Sequence, residues 1–277
     1  MMFKLDFDVM SIDETLDYII DKGASIARFG DGEIACMYYL SISFQKHNLK
    51  LAKELRKVYT SREQGLLVCV PEALMTTEAL SDKARKWWDR NLNAFHRFLW
   101  SFRVDRKNYR FGNSFLTRTY TGYTDNSFSS QVFSRMKHIW DKRDVLIVEG
   151  AKSRVGIGND LLDNVNSIER ILGPAKNAYG QLGAIESYIV EHCSTDKLII
   201  LALGPAATVL VYRLHQRGYQ VLDMGHFDIE YELMLLGATE MVAIKNKYTN
   251  EAADGDVVSE DFIDDVYMSQ IVADFSR

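Results

Sequence analysis

Two carboxylates, Asp31 and Glu33, lie one glycine apart at the end of a short apolar run, a spacing that lets both bind one hard cation such as Mn²⁺ or Mg²⁺. Gly30 and Gly32 flank Asp31, so a ligand phosphate can approach the backbone, and Arg28 supplies positive charge nearby. Asp and Gly are also common in turns, and a plain hairpin or helix-capping turn accounts for the same residues. We predict a metal site here in combination with the features below.

A second candidate is the glycine-punctuated loop from Glu149 to Asp160, which follows a strongly apolar run. It contains Gly156, Gly158 and Asn159, carries a lysine and Arg154, and is predicted to lead into a helix. Exposed backbone N–H groups at a helix start suit a diphosphate, to which Arg154 can offer a forked contact. The glycine spacing fits neither a Walker loop nor a dinucleotide-binding GxGxxG loop, so the loop alone is a weak signal.

Small residues follow a third apolar run. Gly204 and Pro205 stand at the start of a predicted helix that also contains Thr208, and small residues there allow a ligand to approach closely. We therefore include these three residues in the predicted donor site. Tight packing of a strand against a helix explains them equally well.

The fourth candidate is a cluster of one histidine and three carboxylates after an apolar run: His226, Asp228, Glu230 and Glu232. Such groups can bind a metal, act as a general base or hydrogen-bond sugar hydroxyls. We predict His226 as a metal ligand and Asp228, followed by Glu230, as the base that takes the proton of an acceptor hydroxyl. An inverting transfer needs such a base, whereas a retaining one need not use an enzymic carboxylate. Alternatively, Asp228 caps the helix that follows.

These candidates are separated by strands that alternate with helices. Apolar runs ended by glycine or proline predict strands at 24–27, 65–71, 109–115, 144–150, 197–204 and 219–225. Helical spacing predicts helices at 12–20, 34–40, 49–59, 81–102, 128–140 and 206–217. Continuous apolar strands of this kind are typical of an α/β fold with a mostly parallel sheet and helices on both faces. Ligands of such sheets bind beyond the carboxyl ends of the strands, where all four candidates lie.

Composition bounds the class of protein. The chain has 277 residues, of which 47% are hydrophobic, and its net charge of −5 argues against a general nucleic-acid binder. We predict one domain over residues 1–277, with no transmembrane segment and a solvated acidic surface segment after Tyr248. Three cysteines without a CxxC pair predict buried thiols and a cytoplasmic location. The oligomeric state, and whether the chain is a fragment of a longer protein, are left open.

Several segments, in chain order and over nearly the whole sequence, resemble the bacterial GT-D glycosyltransferase family, formerly a domain of unknown function, DUF1792. They are residues 28–33, 149–150 with 156–161, 204–208, 223–232 and 245–248. The resemblance implies a Rossmann-like α/β domain that transfers glucose from UDP-glucose onto a glycan of a bacterial surface glycoprotein or polysaccharide. Asp31 and Glu33 match the family's DxE motif, which binds Mn²⁺ together with UDP, and Lys247 would join the donor site. Ala151 and Ser153 depart from the more polar residues expected in the loop.

Taken together, the candidates suit a nucleotide diphosphate bridged by a metal ion, which would neutralise the leaving diphosphate as the bond to the transferred sugar breaks. We therefore predict a metal-dependent hexosyltransferase that uses a UDP-sugar donor and a glycan or glycoprotein acceptor. Two alternatives remain: a metal-dependent nucleotide-sugar hydrolase, which would turn over fully without an acceptor, and a non-catalytic nucleotide-binding module.

Overall fold

A computed structural model describes residues 7–101, 108–249, 251–255, 258 and 264–277 of the chain. Within them the sheet consists of β1 (Asp8–Val9), β2 (Ser25–Arg28), β3 (Leu66–Val70), β4 (Arg110–Asn113), β5 (Asp144–Gly150), β6 (Ser167–Gly173), β7 (Leu198–Ala202), β8 (Gln220–Asp223) and β9 (Ile271–Asp274). The nine strands are parallel and lie in the order β1-β4-β3-β2-β8-β7-β5-β6-β9. The predicted parallel α/β fold is confirmed.

Helices flank this sheet. They are α1 (Ile12–Lys22), α2 (Asp31–Met37), α3 (Leu49–Tyr59), α4 (Asp82–Asn91), α5 (Ala94–Ser101), α6 (Ser129–Trp140), α7 (Leu182–His192), α8 (Pro205–His215), α9 (Phe227–Leu235) and α10 (Asp265–Gln270). Short 3₁₀ turns occur at Glu72–Leu74, Ser114–Thr117 and Ala178–Gln181. Helices α2, α3, α7 and α8 form one packed group, and α1, α6 and α9 form another. No helix among these is long and apolar enough to cross a bilayer.

The central strands are buried on both faces. Every residue of β3 is buried, and so are the six residues of β5 after Asp144. This two-sided burial explains why the strands appear in the sequence as continuous apolar runs rather than as alternating ones. Their side chains belong to one continuous apolar core that also takes in the inner faces of most helices.

The order of the strands reverses at β2 and β8, which lie side by side in the middle of the sheet. From β2 the chain continues to β3 and β4 on one side, whereas after β8 it reaches β9 at the opposite edge. The register joins β2 to β8 through the single pair Ile26 and Leu222, compared with seven pairs between β5 and β6. In parallel α/β sheets a ligand crevice forms beyond the carboxyl ends of strands at such a reversal.

The predicted aromatic helix at 81–102 is wrong as one element, because the chain breaks after Asn91 and forms α4 and α5. Asn93 starts the second helix, and its side chain accepts hydrogen bonds from the backbone N–H groups of Phe95 at 3.0 Å and His96 at 3.1 Å. Asparagine favours such capping positions over helix interiors. Phe102, the last residue of the prediction, lies outside the described residues.

In the acidic segment after Tyr248, Glu251, Asp254 and Asp265 are exposed as predicted, whereas Asp256, Glu260 and Asp261 lie outside the described residues. The segment is nevertheless more than a surface loop. It contributes α10 and then β9, which pairs with β6 at the edge of the sheet. Strand β6 itself was not predicted, because it carries the charged residue Arg170 in its middle. That side chain is 1% exposed, and its Nη1 lies 2.7 Å from Oε1 of the equally buried Glu149. A buried ion pair therefore replaces the apolar contact that a sequence pattern would show.

Candidate active site

A cleft with a volume of about 1240 Å³ opens beyond the carboxyl ends of the central strands. Its carboxylate floor lies at the ends of β2 and β8 and consists of Asp31, Glu33 and Asp223. The aromatic wall follows β3 and β4 and is formed by Trp87, Trp88, Phe115 and Tyr123. The small-residue wall follows β5, β6 and β7 and is formed by Gly150, Ser153, Ala175 and Gly204. The cleft thus spans the strand reversal.

Asp31 and Glu33 reach the cleft from the first turn of α2. The N-cap of this helix is Gly30, and its N–H donates a hydrogen bond of 2.8 Å to Oε2 of Glu33. The helix-capping interpretation is therefore right for Glu33, and the hairpin interpretation is wrong. Both carboxylates nevertheless line the cleft, together with Gly30 and Gly32. One turn of helix accordingly serves both to cap α2 and to present two carboxylates.

The carboxylate floor concentrates negative charge where water is partly excluded. Desolvation raises the pKa of Glu33 to about 7, and repulsion from Asp223 and Asp31 adds to the rise. Desolvation likewise raises the pKa of Asp31 and of Asp223, against the opposing charges of Arg118 and Arg28 respectively. Glu33 is thus repelled by two neighbouring carboxylates at low dielectric, and a cation beside it would relieve this repulsion.

These residues fit a hard divalent cation by donor type, because Mn²⁺ and Mg²⁺ prefer carboxylate oxygens. His226, predicted as a further ligand, lines the cleft as the N-cap of α9. Across the described ranges, however, no three His, Cys, Asp or Glu side chains come close enough together to hold a metal ion. The structure therefore brings Asp31 and Glu33 to one place but does not join His226 to them as a third ligand.

Arg28 ties the two halves of the sheet together at the floor. Its Nε donates to the backbone oxygen of Asp223 at 2.6 Å, and its Nη1 donates to Oγ1 of Thr117, also at 2.6 Å. Its Nη2 lies 3.2 Å from Oδ1 of Asp223. Arg28 lines the cleft as predicted, but these contacts make it a structural tie in addition to a source of positive charge.

Gly225 makes room for the Arg28 guanidinium. It has a φ of 49°, and a Cβ at this position would lie 2.0 Å from Nη2 of Arg28. We expect Gly225→Ala to displace Arg28 and to lower the free energy of unfolding by about 2–4 kcal/mol, measured by chemical denaturation. The matched control is Gly237→Ala, because Gly237 has a φ of 62° and open space around it. Gly237→Ala should lower the free energy of unfolding only by the cost of the backbone conformation, roughly 1–2 kcal/mol. Equal losses in the two variants would contradict a structural role of the Arg28 contacts.

The glycine-rich loop differs from its prediction in two respects. It runs through turns into β6, so the predicted helix start is wrong. Arg154 is 6% exposed, does not line the cleft, and donates from Nη1 to the backbone oxygen of Asn246 at 2.7 Å. The lysine of the loop, Lys152, lines the cleft instead. The loop therefore contributes Lys152 and its neighbours to the cleft, and not Arg154.

The rest of this loop is bound to α9 through Asp228. Oδ1 of Asp228 accepts from the Gly156 N–H at 2.9 Å and from Nδ2 of Asn159 at 2.8 Å. Nζ of Lys247 lies 2.7 Å from Oδ2 of Asp228 and 2.9 Å from Oε1 of Glu232. The predicted donor residues Gly156, Asn159 and Lys247 thus contact protein carboxylates and do not line the cleft; nor does Gly158.

The side chains of Asp228 and Glu230 diverge, because α9 begins at Phe227 and its residues follow the helical period. Asp228 lines the cleft, but its ion pair with Lys247 and its N–H donors favour a positioning role over the predicted role as a base. Glu230 is fully buried away from the cleft and accepts from the N–H groups of Tyr120 at 3.1 Å and Thr121 at 2.9 Å. It fixes the segment that carries these two residues to the cleft.

Of the third group of candidates, Gly204 lies at the cleft, whereas Pro205 and Thr208 serve the packing of α8. Gly204 lines the cleft with a φ of 55°, and a Cβ there would lie 2.6 Å from the ring of Phe44. Pro205 begins α8, and Thr208 is buried and donates from Oγ1 to the backbone oxygen of Arg28 at 3.0 Å. Neither of the latter lines the cleft, so they serve packing, while the missing side chain of Gly204 lets Phe44 pack against the small-residue wall.

Several cleft residues were not predicted. Asp223 completes the carboxylate floor but lies at the end of a predicted strand, where a carboxylate gives no separate signal. Arg118 lines the cleft and donates from Nη1 to Oε2 of Glu251 at 2.6 Å, and Glu251 lines the cleft as well. These two residues lie 133 positions apart in the chain, so only the folded structure reveals the pair.

A family model described as the glycosyltransferase GT-D fold matches residues 26–252, which contain every predicted site residue. Two curated proteins are similar over most of the chain. The probable glycosyl transferase Gly of Streptococcus gordonii is 38% identical over 97% of the chain, and glycosyltransferase GlyD of Streptococcus pneumoniae serotype 4 (strain ATCC BAA-334 / TIGR4) is 42% identical over 96% of it. The chain spans 39% and 32% of the lengths of these relatives.

Solved structures show the same fold. A structure of domain of unknown function 1792 superposes with a TM-score of 0.91 at 38% identity, covering 98% of the chain and 96% of that structure. A structure described as a new glycosyltransferase (DUF1792) from Streptococcus sanguinis gives a TM-score of 0.89 at 39% identity, covering 97% of the chain and 99% of that structure.

Proposed function

Because the chain belongs to the family of glycosyltransferases with the GT-D fold, we propose that it transfers glucose from UDP-glucose, with the help of a divalent metal ion, onto a glycan acceptor of a bacterial surface glycoprotein or polysaccharide. The observation that carries this proposal is the carboxylate floor at the strand reversal, in a cleft of about 1240 Å³. A nucleotide sugar fits a cleft of this size, and a pair of carboxylates there suits a metal-bound diphosphate.

In this proposal Asp31 and Glu33 would hold Mn²⁺ or Mg²⁺ beside the donor diphosphate. The ion, when bound, supplies positive charge that stabilises the departing diphosphate. The protein adds cationic side chains at the same cleft, Arg118 beside Asp31 and Lys152 on the loop after β5. Arg28 keeps Asp223 in place, so that the floor has a fixed shape before the donor arrives.

In this proposal the two walls of the cleft shape the space for the donor and the acceptor. The small-residue wall presents little side-chain bulk to the donor, and the missing side chain of Gly204 lets the Phe44 ring pack directly against this wall. Transfer rather than hydrolysis requires that the acceptor reach the transferred sugar more readily than water does, and the two walls flank the place where it would do so. Asp228 and Glu230 hold the surrounding loops in position.

Two assays test the proposal together. Calorimetric titration of UDP with and without Mn²⁺ is expected to show binding that depends on the metal, and a panel of UDP-sugars is expected to release UDP fastest from UDP-glucose. Addition of a glycan acceptor should divert the sugar from water to the acceptor. Full turnover without any effect of acceptors would instead identify a hydrolase. Binding of UDP without turnover of any donor would identify a nucleotide-binding module.

A further inference from the structure

One helix presents an aromatic side chain to the cleft that the core does not require. Helix α4 turns Lys83, Ala84, Trp87 and Trp88 toward the cleft, which is the spacing of one helix face. Trp88 is 7% exposed and belongs to the core, whereas Trp87 is 39% exposed and lies outside it. Leaving so large an apolar surface in contact with water forgoes the free energy of burial, so packing does not explain Trp87.

The Trp87 ring is held in place from behind. It packs edge-on against Trp88, with ring centroids 4.9 Å apart and an angle of 79° between the planes. Trp88 in turn packs against Phe115 at 5.8 Å and against Trp100 at 6.5 Å. A T-shaped contact of this kind restrains the indole and leaves at least one of its faces uncovered by Trp88. The platform is therefore preorganised before any ligand binds.

The start of the same helix is fixed to the segment after β4. Oγ of Ser81, the N-cap of α4, donates to the backbone oxygen of Thr121 at 3.0 Å, and its N–H donates to that of Gly122 at 2.9 Å. The N–H of Thr124 donates back to the oxygen of Ala79 at 3.1 Å. These bonds hold both segments at the cleft that Trp87 lines, and polar residues of both segments line the same cleft, among them Asp82, Lys83, Thr124 and Asn126.

The aromatic wall lies on the side of the carboxylate floor opposite the small-residue wall. A donor whose diphosphate is held at the floor, with its nucleoside toward the small-residue wall, directs its sugar toward the aromatic wall. The second substrate must approach that sugar from the side that the nucleotide does not occupy. An aromatic face bordered by hydroxyl, amide and charged groups suits a sugar ring, which offers C–H groups to the π face and hydroxyls to the rim.

We propose, building on the proposed function, that Trp87 is the platform of the acceptor subsite, on which a pyranose ring of the acceptor glycan stacks while its hydroxyls contact the polar residues of α4 and of the segment after β4. Trp87 is thus a specificity-determining residue that touches the acceptor and does not touch the nucleotide. The nearby Lys83 and Asp82 favour an acceptor with several free hydroxyls over an apolar alcohol.

The test uses p-nitrophenyl glycosides of common hexoses, N-acetylhexosamines and their disaccharides as acceptors, with saturating UDP-glucose and Mn²⁺, and measures UDP release above the acceptor-free rate. With the best glycoside we expect Trp87→Ala and Trp87→Leu to raise the acceptor KM by about tenfold or more. Trp87→Phe keeps a planar face and should stay within about threefold of wild type. The Kd for UDP should remain unchanged in all three variants. The matched control is Phe95→Ala, which removes a 62% exposed aromatic ring outside the cleft and should leave the acceptor KM unchanged.

Each other outcome overturns the inference in a distinguishable way. An unchanged acceptor KM in Trp87→Ala would show that the ring is idle, and a parallel loss of UDP affinity would assign it to the nucleobase. If Trp87→Leu behaves like Trp87→Phe, the ring is only an apolar filler. A wild-type protein that releases UDP but that no glycoside stimulates would remove the acceptor subsite and leave donor turnover intact. Absence of UDP release from every UDP-sugar would refute the proposed function, and the subsite with it.

Discussion

Asp31→Asn and Glu33→Gln are each expected to abolish UDP binding that depends on Mn²⁺, with a loss of affinity of about a hundredfold or more, while the fold stays intact. Both carboxylates line the cleft, and each substitution removes a negative charge without changing the size of the side chain. Glutamine at position 33 can still accept the Gly30 N–H through its amide oxygen, so α2 keeps its capping contact. Calorimetry with and without Mn²⁺, alongside a melting curve, measures both parts of the expectation.

The chain contains a matched control for this experiment. Glu14 occupies the same third position of a helix, α1, and its Oε2 accepts from the Ser11 N–H at 2.9 Å in a capping box. Glu14 does not line the cleft. Glu14→Gln removes a capping carboxylate together with its ion pair to Arg110 at 2.8 Å, and it should leave UDP affinity unchanged. Normal Mn²⁺-dependent affinity in both cleft variants would refute the assignment of the metal to Asp31 and Glu33.

The second large effect is expected from Lys247→Met. Nζ of Lys247 neutralises Asp228 and Glu232, and the side chains of Lys247 and Asp228 are each 3% exposed. Removal of the ammonium leaves a buried carboxylate without its counter-charge, which typically costs about 3–5 kcal/mol of unfolding free energy. Chemical denaturation should show this loss. UDP affinity should fall with it, because the loop that Asp228 holds borders the cleft through Lys152 and Ser153.

Lys137→Met is the control, because the ion pair of Lys137 with Asp160 at 2.6 Å lies at the surface. Its loss should cost no more than about 1 kcal/mol. Similar small losses in both lysine variants would contradict a tightly bound network around Asp228.

Asp228→Asn then separates the two roles considered for this residue. A residue that acts only as a base would lose transfer activity at an unchanged Tm. A positioning residue should lower the Tm by several degrees, because asparagine carries no charge to pair with Lys247. We expect the second result.

The sequence was sufficient for elements whose signal is local. The capping box of Ser11 and Glu14 predicted α1, and the run from Asp144 to Gly150 matches β5 residue for residue. Strand β6 was not predicted, because Arg170 interrupts its apolar pattern. The carboxylate that neutralises Arg170 belongs to Glu149, which lies 21 positions away in the chain. Strand β9 has only four residues and alternates between half-buried and exposed, so it gives little apolar pattern at all.

In the candidate site, too, the features with a local signal were predicted and those that depend on distant residues were not. Residue type and position near strand ends were enough to predict that Asp31, Glu33, Arg28 and His226 lie at the cleft. The reason is that the carboxyl ends of parallel strands all lie at the same edge of the sheet. Which cations and carboxylates pair with each other could not be predicted, because the partners are distant in the chain. Lys247 and Arg154, chosen as ligands for a phosphate, are instead held by protein groups that only the fold brings to them.

The single registered pair between β2 and β8 divides the sheet into two half-sheets that meet under the floor of the cleft. Asp31 follows β2 in one half-sheet, whereas Asp223 and His226 follow β8 in the other. A ligand that contacts residues of both half-sheets would link them, as the hydrogen bond from Arg28 to Asp223 already does. Such a ligand would bind more tightly when the two half-sheets are paired than when they are apart. By mass action it would therefore stabilise the sheet along the boundary between β2 and β8.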